Sequence, residues 1–492
     1  MGHRKSFKNI IKTSSTFWCN NKILHVIFLI FVSSVILFPN INNNPVNSWD
    51  EARHAVNALE MINSGDWVTL RFNNEPDMAN IKFPLGAWLI AINYKLFGIN
   101  EISLRLWSAI FTILTTVFVY FLGNLIRSRW TGILAALVFI TSVQVAVAHS
   151  GITGDYDAGA SFFVTLSLFL FLLFYKTRKG NFWILSMVAI GLGIMYKSFV
   201  PGLIPLFIIF IFLLASEERK NINLKKLFFY AALIIIAIIS PWLIARSLPD
   251  SSFLSKLLSF DYWQRLTSSV DGHGAPFWYY LLQMNQGFYP WLYFFLPGLI
   301  VVIASYFKNK DENTLLVLLW FLMTFLIFSV AETKNYWYML PAFPAMAIIV
   351  SLFYTMFLET ASKSKSGKIL SACLIVFIVL IIAVAFFYVR SFFYKHQDRD
   401  HLSFVIKQKS IEKELLLSDM VVVSSNLGTQ SNLFYLKRLL NDRFVFSSNI
   451  PCELNNKQLL LVKAETIFIS KYLEVCPERK ISERHHDYVL IK

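Results

Sequence analysis

Apolar stretches of the ~20 residues that a helix needs to cross a hydrocarbon core of about 30 Å recur along most of this chain. They fall at 23–39, 103–125, 131–149, 157–175, 182–198, 200–215, 227–246, 289–306, 314–330, 338–357 and 368–390, which predicts eleven crossings. The stretch 182–215 reads as two short helices meeting at Pro201-Gly202. A shorter run at 82–97, bounded by Lys82 and containing Lys95, reads as a re-entrant or interfacial helix, with a twelfth crossing as the alternative. Beyond residue 392 no stretch can span a bilayer. The pattern predicts an all-α polytopic membrane domain over 1–392 with a long first outer loop at 40–102. A small α/β domain follows over 393–492. In that tail Met420–Ser424, Gln458–Val462, Thr466–Ser470 and Tyr488–Ile491 read as strands. Ser431–Leu440 has its leucines at helical spacing.

Within the first outer loop the order Ser48-Trp49-Asp50-Glu51 reads as a capping box, with Ser48 as N-cap and Glu51 at the third helical position. The helix runs to about Asn63, and Gly65 can end it. Ala52, Ala55, Val56 and Leu59 line one side, while Asp50, Arg53, His54 and Asn57 fall on another.

Composition agrees with a membrane protein: 56% of residues are hydrophobic and 15% charged. The formal net charge of +15 is strongly basic. The Lys and Arg residues concentrate in alternate connections, such as Arg4–Lys22, Arg127–Arg129, Lys176–Lys179, Arg219–Lys226, Lys308–Lys310 and Lys363–Lys368. By the positive-inside rule these are cytoplasmic. The N-terminus is then inside, and eleven crossings put the C-terminal domain on the outer, extracytoplasmic side of a plasma (cell inner) membrane. The basicity is thereby explained by the membrane rim, and a nucleic-acid partner is discounted. The first apolar run lacks a small-residue cleavage site and reads as a retained helix. The Met1-Gly2 start resembles a myristoylation signal, which a following membrane helix makes redundant. Of four cysteines, Cys452 and Cys476 share the outer tail, where pairing and separate thiols are both open.

This topology brings Asp50, Glu51, Arg53, Lys82, Asp155, Asp157, Lys197, His273 and Lys334 to one face of the membrane. Ionisable groups near hydrocarbon are costly, so a one-sided set of them implies a polar cavity. Carboxylates there can activate a nucleophile, and cations can hold an anionic head group.

Asn47-Ser48-Trp49-Asp50-Glu51-Ala52-Arg53-His54 followed by Ser64-Gly65-Asp66-Trp67-Val68-Thr69 resembles the first outer loop of GT-C fold polyprenyl-phosphate-sugar glycosyltransferases. These enzymes include protein O-mannosyltransferases and lipid A aminoarabinose transferases. Lys82-Phe83-Pro84, Thr153-Gly154-Asp155-Tyr156-Asp157, His273-Gly274-Ala275-Pro276 and Thr333-Lys334 with Tyr338 resemble later motifs in the same order, over roughly 45–350. The resemblance implies a GT-C-like bundle of about 11–13 helices and transfer of a sugar from a polyprenyl-phosphate donor to a lipid, glycan or protein hydroxyl. It implies inversion with Asp50 as base, Asp157 and Glu51 as further catalytic carboxylates, and Arg53, Lys82, Lys197, His273, Lys334, Tyr338 and Asp155 as substrate-binding residues.

Each of these residues has a plainer role to compete with. Glu51 can be only a capping partner, Asp155 a helix cap, Lys197 and Lys334 snorkelling cations, and His273 a polar loop residue. Asp398-Arg399-Asp400 imitates a nucleotide-sugar metal motif, but too little chain follows it to build that fold. Aminoarabinose transferases carry a Glu before the loop lysine, whereas Ile81 stands here. No metal ligands are therefore assigned; no cofactor is implied with certainty, and a divalent metal ion stays open. The rival reading is a transporter or flippase for a lipid-linked sugar, and a third is an assembly subunit. Transporters tend to carry paired halves, which this sequence lacks.

Overall fold

The structure, a computed structural model, describes residues 21–42, 44–78, 80–146, 149–361, 365–395, 415–416, 418, 420–424, 430–441, 443–447, 458–463, 476, 481–485 and 488–491. Among them, eight helices are long and apolar enough to cross a membrane. The first is α1 (Lys22–Leu37). The segment 40–102, read from the sequence as the first outer loop, then holds the largely buried helix α2 (Asp50–Ser64) and the two-residue strands β1 (Arg71–Phe72) and β2 (Glu75–Pro76). A short apolar helix α3 (Leu85–Phe97), as the 82–97 run predicts, leads to α4 (Glu101–Ile126). The bundle continues with α5 (Arg129–Ile140), α6 (Asp157–Thr177), α7 (Gly180–Tyr196), α8 (Phe199–Ala215) and α9 (Leu224–Ser247). After α10 (Phe253–Leu258) and α11 (Tyr279–Gly287) come α12 (Leu292–Asn309), α13 (Glu312–Val330), α14 (Phe343–Ala361) and α15 (Lys365–Lys395).

Eight of the eleven expected crossings meet the full length; α5, α7 and α8 are shorter apolar helices. The expected helix over 131–149 stops at Ile140. There Thr141 and Ser142 turn their hydroxyls back onto the Leu137 and Val138 carbonyls, and Trp291 Nε1 donates to Thr141 Oγ1 at 3.0 Å. The break between α7 and α8 lies at Lys197-Ser198 rather than at Pro201-Gly202. Proline is tolerated in the first helical turn, where its missing N–H has no partner to lose. Pro201 therefore sits inside the start of α8 instead of ending α7.

Sequence-local capping sets several boundaries. Asn100 caps α4 by accepting from Ser103 N–H at 2.9 Å, and Ser128 caps α5 through Thr131 N–H. The α4–α5 hairpin is tight because Gly123 and Gly132 face one another; a Cβ on Gly123 would lie 2.7 Å from Gly132 Cα. The outer faces of α9, α12 and α15 leave Leu233, Ile236, Ile300 and Leu380 exposed, as a lipid-facing surface requires. The chain is a multi-pass membrane protein.

The tail forms a five-stranded sheet of order β4-β3-β5-β7-β6: β3 (Met420–Ser424), β4 (Phe444–Ser447), β5 (Gln458–Lys463), β6 (Ile481–His485) and β7 (Tyr488–Ile491). β3 pairs parallel with β4 and β5, while β7 runs antiparallel to β5 and β6. The helix α16 (Gln430–Leu440) joins β3 to β4. Three of the four expected strands are present. Thr466–Ser470 lies outside the described residues, as do Cys452 and Asp398–Asp400. Cys476 is disulfide-bonded. The two unforeseen strands, β4 and β6, are short and lack a clean alternation, so only sheet pairing reveals them.

A second hydrophobic core joins α2, α3 and α16 through Val56, Leu59, Tyr94, Phe434 and Leu436. The C-terminal domain thus sits directly on the first outer loop.

Candidate active site

The helix α2 starts at Asp50, and its cap residue is Trp49 with φ +72°. The expected capping box does not form: the Ser48 hydroxyl is buried without a partner. Glu51 is drawn elsewhere. Its carboxylate is 1% exposed and accepts from Arg105 Nε at 2.6 Å and Nη2 at 3.1 Å. It also takes the N–H groups of Asn47 at 2.7 Å and Gly154 at 2.8 Å. Arg105 in turn donates to the carbonyls of Ile41, Asn44 and Pro45, each at 2.9 Å. A buried guanidinium needs a carboxylate more than an exposed helix end needs a cap. The Glu51–Arg105 pair thereby ties the first outer loop, α4 and the loop of Asp155 together. The close approach of Gly154 requires glycine, because a Cβ there would meet Leu104 Cγ at 2.7 Å.

Asp50 is half-exposed, and its Oδ1 accepts from Lys82 Nζ at 2.8 Å. The Lys82 ammonium, against the opposing effect of burial, holds the Asp50 carboxyl well below the usual carboxylate range. Next to it His54 is buried and stacked on Tyr156 with ring centroids 3.8 Å apart. Burial, with Lys82 nearby, keeps that imidazole neutral. Arg53 pairs with Asp77 at 2.6 Å.

Asp155 lies behind Asp50, 4% exposed, with its Oδ1 lacking a hydrogen-bond partner. His149 Nδ1 is 3.5 Å from Asp155 Oδ2, and its ring stacks on Trp337 at 3.6 Å. Burial pushes the Asp155 carboxyl up to about 6, while His149 opposes the rise. Ligand-type atoms of Asp50, His149 and Asp155 all lie within 4.8 Å of one another.

Asp157, the first residue of α6, forms an ion pair with Lys197 at the α7–α8 break. The Lys197 ammonium also lies 5.6 Å from the centroid of the Tyr338 ring. Arg265 Nη1 donates to the Tyr338 hydroxyl at 2.9 Å. Two cations from different elements therefore meet on one aromatic residue.

Two expected residues are placed differently. Lys334 is buried, and its ammonium donates to the Ala275 carbonyl at 2.8 Å and to the Ala331 carbonyl, so it ties two connecting segments together. His273 is exposed and accepts the Lys334 N–H on its backbone carbonyl at 2.8 Å. His149, rather than His273, stands beside the carboxylates.

Sequence reasoning missed Arg105, His149, Asp77 and Arg265. Arg105 had a signal, since a charge inside an apolar crossing demands a partner. The other three sit in connecting segments where nothing local marks them.

Above Asp50 lies a cavity of about 390 Å³ lined by Trp49, Asp50, Arg53, Phe72, Pro76, Asp77, Met78 and Gln430.

A family model described as dolichyl-phosphate-mannose-protein mannosyltransferase matches residues 76–244. An undecaprenyl phosphate-alpha-4-amino-4-deoxy-L-arabinose arabinosyl transferase of Pectobacterium carotovorum is 29% identical over 341 residues, 67% of this chain and 59% of that protein. The enzyme of the same name from Erwinia tasmaniensis is 30% identical over 330 residues, 65% and 58% of the two chains. The chain spans about three fifths of the length of these curated relatives. Among solved structures, ArnT from Cupriavidus metallidurans bound to undecaprenyl phosphate superposes with TM-score 0.67 at 17% identity, covering 95% of this chain and 97% of that one. The archaeal oligosaccharyltransferase AglB from Archaeoglobus fulgidus gives 0.57 at 14% identity over 88% and 65%.

Proposed function

We propose that this chain, which has the GT-C fold, is a membrane glycosyltransferase that moves a sugar from a polyprenyl-phosphate donor to a hydroxyl-bearing acceptor with inversion. The similar proteins that act with or bind undecaprenyl phosphate supply the donor class. The observation that carries the reading is Asp50: a carboxylate kept ionised by Lys82 on the wall of a cavity that Arg53 also lines. The acceptor oxygen attacks the anomeric carbon, the bond from that carbon to the phosphate oxygen breaks, and the acceptor proton passes to Asp50. Lys82, Lys197 and Arg265 are the candidates to hold the phosphate, through charge-assisted hydrogen bonds in a partly dry site. Asp157 positions Lys197, and Tyr338 positions Arg265.

Lys82 serves both halves of this scheme. While it pairs with Asp50 the carboxylate is a weak base. As charge grows on the leaving phosphate, Lys82 is drawn toward it, and Asp50 regains basicity when the proton must move. Glu51, with its carboxylate fully engaged by Arg105 and two N–H groups, acts by holding the loop in place. Asp155, His149 and Asp50 form a donor set that suits a divalent cation, which would supply further charge for the phosphate. Activity after dialysis against a chelator, with and without added Mn²⁺ or Mg²⁺, tests that second proposal; full activity after exhaustive chelation removes it.

The proposed setting is the cell inner membrane, with the N-terminus cytoplasmic and the site extracytoplasmic. Asp50→Asn tests the reaction. The variant should insert and fold normally yet lose transfer by a factor of about 10²–10⁴. Product is followed by mass spectrometry in detergent extracts, where transport has no meaning. Near wild-type turnover would remove Asp50 as base, and absence of product from the wild type would favour transport.

A further inference from the structure

The cavity above Asp50 has a wall that the membrane domain does not supply. Gln430, the first residue of α16, lines it together with the first outer loop. We propose that this cavity is the acceptor site, that it takes a neutral carbohydrate group, and that the C-terminal domain builds it, with Gln430 as a contact and Tyr435 as a positioning residue. The proposal rests on the glycosyl-transfer reading for what becomes of the bound hydroxyl.

Size and lining come first. About 390 Å³ lies within the ~300–1,000 Å³ typical of small-ligand sites. Trp49 is 76% exposed and holds a backbone at φ +72° that bulky residues avoid. A strained backbone that presents a bare indole at a cavity is characteristic of a ligand contact. Phe72 and Met78 extend the apolar lining. Such faces stack on the C–H side of a sugar ring, while the Gln430 amide both donates to and accepts from vicinal hydroxyls.

Charge then selects the class. Each charge lining the cavity already has an opposite partner: Arg53 holds Asp77 at 2.6 Å, and Lys82 holds Asp50 at 2.8 Å. A phosphorylated acceptor would face two carboxylates with no cation in excess, whereas a neutral polyol meets a balanced wall. A peptide acceptor is disfavoured for another reason. Extended peptides dock on free sheet edges, and the nearby β1–β2 ladder is only two residues long.

Finally, α16 is locked to the loop that carries the base. The Tyr435 hydroxyl accepts from Val46 N–H at 3.0 Å and donates to Glu101 Oε1 at 2.8 Å. The Ser431 hydroxyl donates to the Val46 carbonyl at 2.7 Å, and Lys437 pairs with Glu60 of α2 at 2.7 Å. All five side chains and Val46 are buried. A shift of α16 therefore moves the approach to Trp49 and Asp50 with it.

The test uses the purified full chain added back to membranes of a deletion strain, which hold the native donor and acceptor. Three probes compete with that acceptor: neutral methyl glycosides, the matching sugar phosphates, and short Ser/Thr peptides. Methyl glycosides should inhibit, and Gln430→Leu and Trp49→Ala should each weaken that inhibition by about tenfold. Binding of undecaprenyl phosphate should stay unchanged in both variants. Tyr435→Phe should lower kcat while leaving the donor KM unaltered, and should speed amide exchange over residues 44–50. Inhibition by sugar phosphates alone, or by peptides alone, overturns the carbohydrate assignment; no effect of either cavity substitution overturns the site. If Gln430→Leu fails to fold, the solvent-facing Trp49→Ala still decides. Saturation transfer from Asp50→Asn protein to a methyl glycoside should persist, because binding needs no base. Failure of the catalytic reading and failure of this one are thus separable.

Discussion

Glu51 carries four hydrogen bonds in a site that water does not reach, and two of them go to one guanidinium. Removing its charge leaves Arg105 buried and unpaired, which costs about 3–5 kcal/mol. Glu51→Gln should therefore lower thermal stability sharply, read from the unfolding transition in detergent, whereas Asp50→Asn should not. Lys82 has a signature in pH. Because it depresses the Asp50 pKa, Lys82→Met should raise that pKa and move the acidic limb of the kcat/KM profile to higher pH, with weaker donor binding beside it. Asp155 works in the opposite sense. Its folded pKa of about 6 lies above the usual carboxylate range, so its neutral form favours the fold. That contribution is complete below about pH 4 and is lost as pH rises through about 6. Asp155→Asn should flatten this loss, giving a higher melting temperature than wild type at pH 8 and little difference at pH 4. Asp50, Asp155 and Asp157 were legible as a one-sided carboxylate set; their different partners were not.

At the scale of elements, hydrophobic periodicity and capping chemistry carried most of the information. Asn100 and Ser128 announce α4 and α5, and the caps form as written. The errors came where a tertiary partner outbid a local rule. Arg105 takes the carboxylate that the capping box at Ser48 needed, and the Trp291 contact at Thr141 lies where the helix over 131–149 ends early. Close helix approach is also a pairwise property. Gly123→Ala should separate α4 from α5, destabilising the bundle by about 1–3 kcal/mol in a denaturant titration.

At the scale of the molecule, the bundle supplies cations and carboxylates from the ends of many helices, and α16 of the tail packs on the segment that carries Asp50. The proposed orientation predicts labelling by an impermeant maleimide in a cysteine-free background: Glu75→Cys should react from outside the cell, and Lys310→Cys only after permeabilisation. By itself the sequence determined the membrane class, the approximate crossings, the one-sided charge and the place of Asp50. Those features follow from transfer of each segment into hydrocarbon, which depends on local composition alone. Only the tertiary structure decided which charges meet. Glu51 finds Arg105 across 54 positions, and Tyr435 finds Glu101 across 334. Such pairings are selected by what remains unsatisfied when distant surfaces are buried together, and no local pattern records that.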